Sequence, residues 1–221
     1  MRFIRRFIFW FLAISIGLTV IYRFVPPPLT ATMVLDLNGF TKDWTPLSRI
    51  DRNMVAAVIA AEDSKFCSHG GFDQEAIEDA MERNAGGKRL RGGSTISQQV
   101  AKNIFLWQGS GWDRWLRKGL EAWFTLLIET AWSKRRIIEV YLNVAETGIG
   151  TYGVEAGAQR YYRKSAATLS RIEAARMAAV LPSPKTRAVM DPKGFTYHHG
   201  NTIAARVQVV RREGLDGCVY E

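Results

Sequence analysis

Cysteine and histidine are scarce in this chain of 221 residues, with two of the first and three of the second. His69 stands alone, His198 and His199 are adjacent, and no cysteine lies near enough in sequence to complete a zinc-binding spacing. Internal repeats and low-complexity linkers are absent, which leaves one compact domain of roughly 190 residues behind a distinct N-terminal segment. Acidic residues are missing from the first 28 positions. The formal charge of +9 rests on 30 basic against 21 acidic residues, and four of the basic ones lie in that acid-free segment, leaving 26 against 21 beyond it. The remaining clusters, Lys88-Arg89-Arg91, Arg114-Arg117-Lys118 and Lys134-Arg135-Arg136, are short and dispersed. A nucleic-acid partner would call for one continuous basic stripe, so none is expected.

What the N-terminus does have is apolar length. MRFIRRFIFWFLAISIGLTVIYRFVPPP holds an uncharged run from Phe7 to Tyr22, extendable to Val25 if Arg23 reaches the headgroups, near the lower limit of about 17 residues for a spanning helix. Arg2, Arg5 and Arg6 before the run and Pro26 to Pro28 after it predict a cytoplasmic N-terminus, a helix stop and a body on the far side of the inner membrane. No A-x-A-like site follows the run, which favours a retained single-pass anchor over a cleaved signal peptide. The division expected is 1–28 for the anchor and its proline stop, and 29–221 for the domain. Cys67 and Cys218 would then enter an oxidising compartment, and their separation leaves a bond between them open.

Beyond the prolines the pattern is helical. After a short extended stretch, ATMVLDLNG, helices are predicted around Met54–Glu62, from Asp73 to a stop at Gly86-Gly87, and over ISQQVAKNIFL behind the capping box of Thr95 and Gln98. Further helices run over Trp112–Trp132, Lys134–Glu146, Gly153–Tyr162, a segment opened by Ser170 and Glu173 and stopped by Pro182, and Asn201–Glu213. The class is all-α, with room for one short hairpin near the membrane.

Four segments are more polar than packing requires. In AAEDSKFCSHGGFD, Glu62, Asp63, Phe66 and His69 fall where an apolar helix gives way to a glycine-containing loop, a place for a fixed carboxylate beside a cleft. Taken alone, an adjacent Glu-Asp pair is usually a solvated helix end. In RGGSTISQQVAKN, Thr95, Gln99 and Lys102 form a polar stripe, Ile96, Val100 and Ile104 an apolar one. The glycine pair Gly92-Gly93 before that helix would let backbone N–H groups meet an anion, although no lysine follows as a P-loop demands. In RKGLE, Arg117 and Lys118 precede Glu121 at i, i+4 and i, i+3, ordinarily a surface ion pair. The AWFTLLIETAW that follows is apolar on nearly every face and predicts a helix running through the core. In SKRRIIEVYLNVAETG, Ile137, Ile138, Tyr141 and Leu142 pack, while Lys134, Glu139 and Asn143 are polar scaffold.

Together, and in this order, the four motifs resemble those of the family 51 glycosyltransferases, the peptidoglycan polymerases. The likeness covers about Arg49 to Pro184, including GVEAGAQRYY and AAVLPSP. With no transpeptidase domain following, it is to the monofunctional biosynthetic transglycosylases rather than the class A penicillin-binding proteins. The resemblance implies a lysozyme-like helical fold that polymerises lipid II at the outer face of the cytoplasmic membrane, with lipid II, the growing lipid-linked glycan strand and proteins of wall synthesis or division as partners. It implies that Glu62 is the general base and Glu121 the second carboxylate of the site. Asp63, Phe66 and His69 match residues lining the cleft. Ser94, Thr95, Gln98, Gln99, Lys102 and Asn103 match donor-side contacts, with Lys102, Arg117 and Lys118 meeting the departing pyrophosphate. No organic cofactor is implied, and a divalent cation, Mg²⁺ or Mn²⁺, at Glu121 stays open.

Two positions depart from the pattern. Ser97 stands where threonine is usual, and Asp113 where members often carry an arginine, so Arg114, one position late, competes with Arg117 for the pyrophosphate. Two other functions remain: a lysozyme-like lytic enzyme, which would not need these cations or an anchor, and a non-catalytic glycan-binding scaffold, which would tolerate loss of Glu62.

Overall fold

The computed structural model describes residues 1–85, 93–108 and 111–221. The expected helix stop at Gly86-Gly87, the Lys88-Arg89-Arg91 cluster and Gly92 of the glycine pair lie outside these residues. The described chain is helical apart from three very short strands, in the order α1 (Arg2–Phe24), α2 (Ala31–Val34), β1 (Thr41–Lys42), α3 (Arg52–Glu62), α4 (Gln74–Ala85), α5 (Ile96–Phe105), α6 (Arg114–Ala131), α7 (Lys134–Val144), β2 (Glu146–Gly148), β3 (Thr151–Tyr152), α8 (Val154–Tyr162), α9 (Arg171–Val180), α10 (Gly194–Arg212) and α11 (Gly217–Tyr220).

Local chemistry sets the boundaries. Asp51 caps α3 by accepting the Asn53 N–H at 2.7 Å, and Ser133 caps α7. Capping boxes open α5 at Thr95 and Gln98 and α9 at Ser170 and Glu173, as the sequence predicts. Gly214, at φ 65°, ends α10 in a Schellman turn in which Leu215 N–H donates to the Val210 carbonyl at 2.9 Å. That last helix begins at Gly194, seven residues before the predicted start.

Seven consecutive residues of α3, Met54 to Ala60, are buried, so this helix is the axis of the core. It packs on α9 and α10, while α5 lies between α6 and α7. Tyr141, Tyr152 and Phe66 are the largest side chains wholly inside. Glu62 is thereby carried to the edge of the core on a helix whose preceding turns are wholly enclosed.

Two expectations are corrected and one, the short hairpin, is found and extended. The stretch after the prolines is not extended, since Ala31–Val34 is a helical turn capped by Thr30. The hairpin is β2–β3, joined by β1 in parallel with Thr41 opposite Thr151, so the strand order is β1-β3-β2. Helix α6 does not run through the core: it buries only Glu121, Phe124, Thr125 and Ile128 and exposes Leu116 and Leu126.

Helix α1, about 35 Å long at 1.5 Å per residue, is long and apolar enough to cross a bilayer. It packs along α6 through its few polar residues. Trp123 donates its indole N–H to Ser15 Oγ at 3.3 Å, Trp132 donates to the Thr19 carbonyl at 2.8 Å, and the Arg136 guanidinium caps the free carbonyls of Tyr22 and Val25 at 2.9–3.1 Å.

Candidate functional site

Glu62 is the last residue of α3. One carboxylate oxygen, Oε2, accepts the Gln99 side-chain N–H at 2.7 Å, while Oε1 is buried and, among the described residues, has no hydrogen-bond partner. The Gln99 amide is in turn held by Tyr141, whose hydroxyl lies 3.3 Å from Gln99 Oε1. Burial raises the Glu62 pKa, the charge of Asp63 adds to this, and the Gln99 bond with the charges of Arg187 and Lys102 pulls against it. A carboxylate at a helix C-terminus also faces the negative end of the helix dipole. The result is a carboxylate with raised proton affinity and one bare oxygen, which suits a base.

The neighbouring loop answers why the sequence places Asp63, His69 and two glycines together. Buried Asp63 accepts from His69 Nε2 at 2.8 Å and from the Ile96 N–H at 3.0 Å, tying the end of α3 to the start of α5. Because His69 Nδ1 accepts the Gly71 N–H at 3.0 Å, the ring proton sits on Nε2, aimed at Asp63. Gly71, at φ 90°, passes so close to α6 that a Cβ there would lie 2.7 Å from Thr125 Cγ2, and its carbonyl accepts the Thr95 hydroxyl at 2.7 Å. Phe66 is fully buried beneath the Lys134 ammonium, 4.7 Å from its ring, so it supports the loop from inside the core and does not line a cleft. Lys134 also donates to the His69 carbonyl at 2.7 Å and pairs with Glu129, which accepts the Ser97 hydroxyl. The serine that stands where threonine is usual therefore retains the work of its hydroxyl.

A cationic ledge stands beside Glu62. Lys102 is two turns along α5 from Thr95, and burial lowers its pKa, while the charge of Glu121 raises it and those of Arg117 and Lys118 lower it. Glu121 is buried and accepts Lys118 Nζ at 2.5 Å, and the same ammonium reaches Ser94 Oγ at 3.3 Å. Arg117 is half-buried, whereas Arg114 is exposed at the first turn of α6. Asp113 bonds the Trp107 indole N–H.

Two recesses flank the Glu62–Gln99 pair. The larger, about 560 Å³, is walled by Gln99, Lys102, Asn103, Tyr141, Glu146 and Lys185 but stops short of Glu62. The smaller, about 160 Å³, contains Glu62, Ser94 and Thr95. Of the residues singled out in the sequence, the structure links Glu62 to Gln99 by a hydrogen bond and to Lys102 by charge, Lys102 by charge to Arg117, Lys118 and Glu121, and Lys118 to Glu121 and Ser94, while Asn103 lines the larger recess with Gln99 and Lys102. Thr95 and Gln98 are buried and engaged in the capping box, Thr95 also with Gly71, while Asp63 and His69 bond each other and the backbone of Ile96 and Gly71. Tyr141 was read as a packing residue only. The signal for its second task is general: a buried tyrosine hydroxyl requires a partner.

A carboxylate of raised proton affinity beside cationic side chains, on a helical body with an N-terminal helix long and apolar enough to cross a bilayer, fits the class of membrane-associated group-transfer enzymes. A transglycosylase family profile matches residues 30–211. Among curated relatives named biosynthetic peptidoglycan transglycosylase, that of Caulobacter vibrioides is 50% identical over 203 residues, covering 90% of this chain and 87% of the relative. That of Rhodospirillum centenum is 49% identical, covering 93% and 90%, and that of Bdellovibrio bacteriovorus 45%, covering 100% and 90%. The chain belongs to the transglycosylase family.

Proposed function

We propose that this chain is a peptidoglycan glycosyltransferase that polymerises lipid II for cell-wall synthesis, with Glu62 as its base. Glu62 removes the proton of the acceptor GlcNAc 4-hydroxyl as that oxygen bonds to C1 of the donor MurNAc. The C1–O bond to the diphosphate breaks, and its electron pair leaves with the polyprenyl diphosphate. Lys102, Arg117 and Lys118 receive that charge, and Glu121 holds the Lys118 ammonium in place. A single in-line displacement converts the α-linked donor to a β-1,4 product, so no covalent nucleophile is required. Of the two arginines in competition, the half-buried Arg117, whose charge reaches Lys102, fits the pyrophosphate better than exposed Arg114.

A divalent cation at Glu121 would have one carboxylate, already paired with Lys118 and flanked by further cations, and among the described residues no cluster of three His, Cys, Asp or Glu side chains forms a cation site. The residues present do not fit a protein-held metal, and no step is derived through one. Helix α1 is the single-pass anchor. Its three leading arginines support a cytoplasmic N-terminus, which would set the domain at the outer face of the inner membrane with its lipid substrate.

The observation that carries the reading is the bare, proton-seeking Oε1 of Glu62 beside Lys102. Glu62→Gln retains shape and cannot take the proton, so polymerisation of labelled lipid II should fall by roughly 10²–10⁴ with binding nearly intact. Digestion by muramidase identifies the β-1,4 product. Near-normal polymerisation by the variant removes Glu62 from the chemistry, and release of soluble fragments from preformed wall in place of polymer makes the chain lytic.

A further inference from the structure

The turn that follows Glu62 is fastened from inside the core and from outside it. Inside, Phe66 is buried under Lys134, and Asp63 ties His69 to the first residue of α5. Outside, Ser64, Lys65, Ser68 and Gly70 are exposed, and the backbone bonds of the turn are local: Phe66 N–H donates to the Asp63 carbonyl at 3.1 Å and Ser68 N–H to the Lys65 carbonyl at 2.8 Å. Cys67 holds this outer side. It is bonded to Cys218, and neither cysteine has a part in the proposed chemistry.

The far end of the bond is a fixed post. Asp216, fully buried, accepts two bonds from Arg52 at 2.7 Å, and Val219 is buried in the core while its carbonyl accepts from Arg135 at 3.0 Å. The C-terminal segment is thus docked on both sides of Cys218 without the sulfur, so the bond restrains the turn more than it restrains the tail. The restraint reaches Glu62. Asp63 is adjacent to the base, and its bond to the Ile96 N–H at 3.0 Å couples the turn to α5, from which Gln99 holds Glu62 at 2.7 Å. Both cysteines are only partly buried, which leaves the bond open to a small dithiol.

We infer that Cys67 and Cys218 are positioning residues for the base: their bond sets the turn from Asp63 to Gly71 against the docked C-terminus, and opening it lowers catalysis in a chain that stays folded. The inference rests on the reading of Glu62 as base. A dithiol opens the bond by two exchanges. One thiolate attacks a sulfur and displaces the other, and the reagent's second thiolate then attacks the mixed disulfide. The chain gains two electrons and two protons as two thiols, and the reagent leaves as its own disulfide. The cytoplasm keeps such a pair reduced, whereas the far side of the membrane oxidises it. The turn is therefore completed after export, on the side where the lipid substrate is met.

The test uses the full chain in detergent, well below its melting temperature, oxidised and after reduction with dithiothreitol. Its first readout needs no turnover: hydrogen exchange should quicken in residues 63–71 on reduction and stay slow from Met54 to Ala60. Unchanged exchange in the turn overturns the inference and leaves the glycosyltransferase reading standing. An oxidised chain that makes no polymer sinks that reading, and the inference with it.

The second readout is polymerisation of lipid II. On reduction kcat should fall by roughly ten- to a hundredfold, the cost of moving a catalytic group by up to about 1 Å, with KM nearly unchanged, and reoxidation should restore it. Water admitted by the loosened turn removes part of the burial that raises the Glu62 pKa, so the acidic limb of kcat/KM should move to lower pH. Lys102 on α5, Tyr141 on α7, Arg187 beyond α9 and Arg206 on α10 stay in place around it. Cys67→Ser with Cys218→Ser should match the reduced parent and ignore the dithiol. Arg52→Met is the reference: it frees the tail from the start of α3 and keeps the bond, so it should lower the melting temperature and leave kcat and the limb where they are. Kinetics unchanged by reduction, or reproduced by Arg52→Met, overturn the inference. Loss of the helical circular dichroism on reduction does so too, because the bond is then a requirement of folding.

Discussion

In the proposed chemistry two side chains, Glu62 and Lys102, are pushed in opposite directions by one cause. Burial favours the neutral form of each, so Glu62 holds its proton to higher pH than an ordinary glutamate, and Lys102 gives up its proton at lower pH than an ordinary lysine. For a base with a raised pKa, the active, ionised form is lost as pH falls through that raised value. For a cation with a lowered pKa, the charge is lost as pH rises through it. The pH dependence of kcat/KM should therefore be a bell narrower than free side chains would give. Gln99→Leu removes the hydrogen bond that stabilises ionised Glu62 while roughly conserving volume, so the acidic limb should move to higher pH. The position of the limb is the readout, independent of any loss in its height; an unmoved limb would show that Gln99 does not set the affinity of Glu62 for its proton. At this scale the sequence is informative because α5 is regular: Gln99 and Lys102 share a stripe, and a helix of period 3.6 brings both to one side. Asp63 was less legible. Adjacent to Glu62 and of the same chemistry, it spends its oxygens on His69 and Ile96, a distinction made by contacts 6 and 33 residues away.

Among the elements, α6 shows how an apolar sequence can mislead. Unbroken apolar character in AWFTLLIETAW reads as immersion in a protein core, yet only Phe124, Thr125, Ile128 and Trp132 in that stretch are buried, and Trp123 and Trp132 lean on α1. Protein interior and membrane-facing surface make the same demand on composition, and only the presence of a spanning helix nearby distinguishes them. The expected boundary at residue 28 is thus a change in the chain's course at which contact between the parts does not cease. Removing Met1–Tyr22 would strip the α1 partners from Trp123 and Trp132, take the Tyr22 carbonyl from Arg136 while leaving it Val25 and Glu139, and leave α3, α9 and α10 untouched. The truncated chain should keep its helical circular dichroism and melt cooperatively, at a lower temperature, and should require detergent to stay dispersed. Loss of the helical signal would show instead that α1 is part of the folding unit; an unchanged melting temperature would show that its contacts contribute nothing.

For the molecule as a whole, the C-terminus closes the fold upon α3. Asp216, fully buried, holds Arg52 at the start of α3 by two bonds of 2.7 Å; Arg52 lies 4.7 Å over the Tyr220 ring; and Arg135 donates to the Val219 carbonyl at 3.0 Å. Cys218 is bonded to Cys67, five residues beyond Glu62, with their Cα atoms 5.5 Å apart. The two ends of the α3 region are thus gripped by one short segment. No periodicity could reveal this pairing, because the cysteines are separated by 151 residues and meet only after the helices have packed. Such a crosslink removes much of the unfolded chain's freedom. The chain-entropy account gives about 5 kcal/mol for a loop of this length, and measured values are typically about 2–4 kcal/mol. At about 2–4 °C per kcal/mol for a chain of this size, Cys67→Ser with Cys218→Ser should melt about 5–15 °C below the parent, as should the parent after reduction with a dithiol. Reoxidation should restore the reduced parent and leave the double serine variant unchanged, which separates the bond from any cost of the substitutions. Calorimetry on all four samples makes the comparison. Equal melting temperatures with and without the bond would mean that contacts such as those of Arg52, Asp216 and Val219 suffice to fasten the C-terminus to α3.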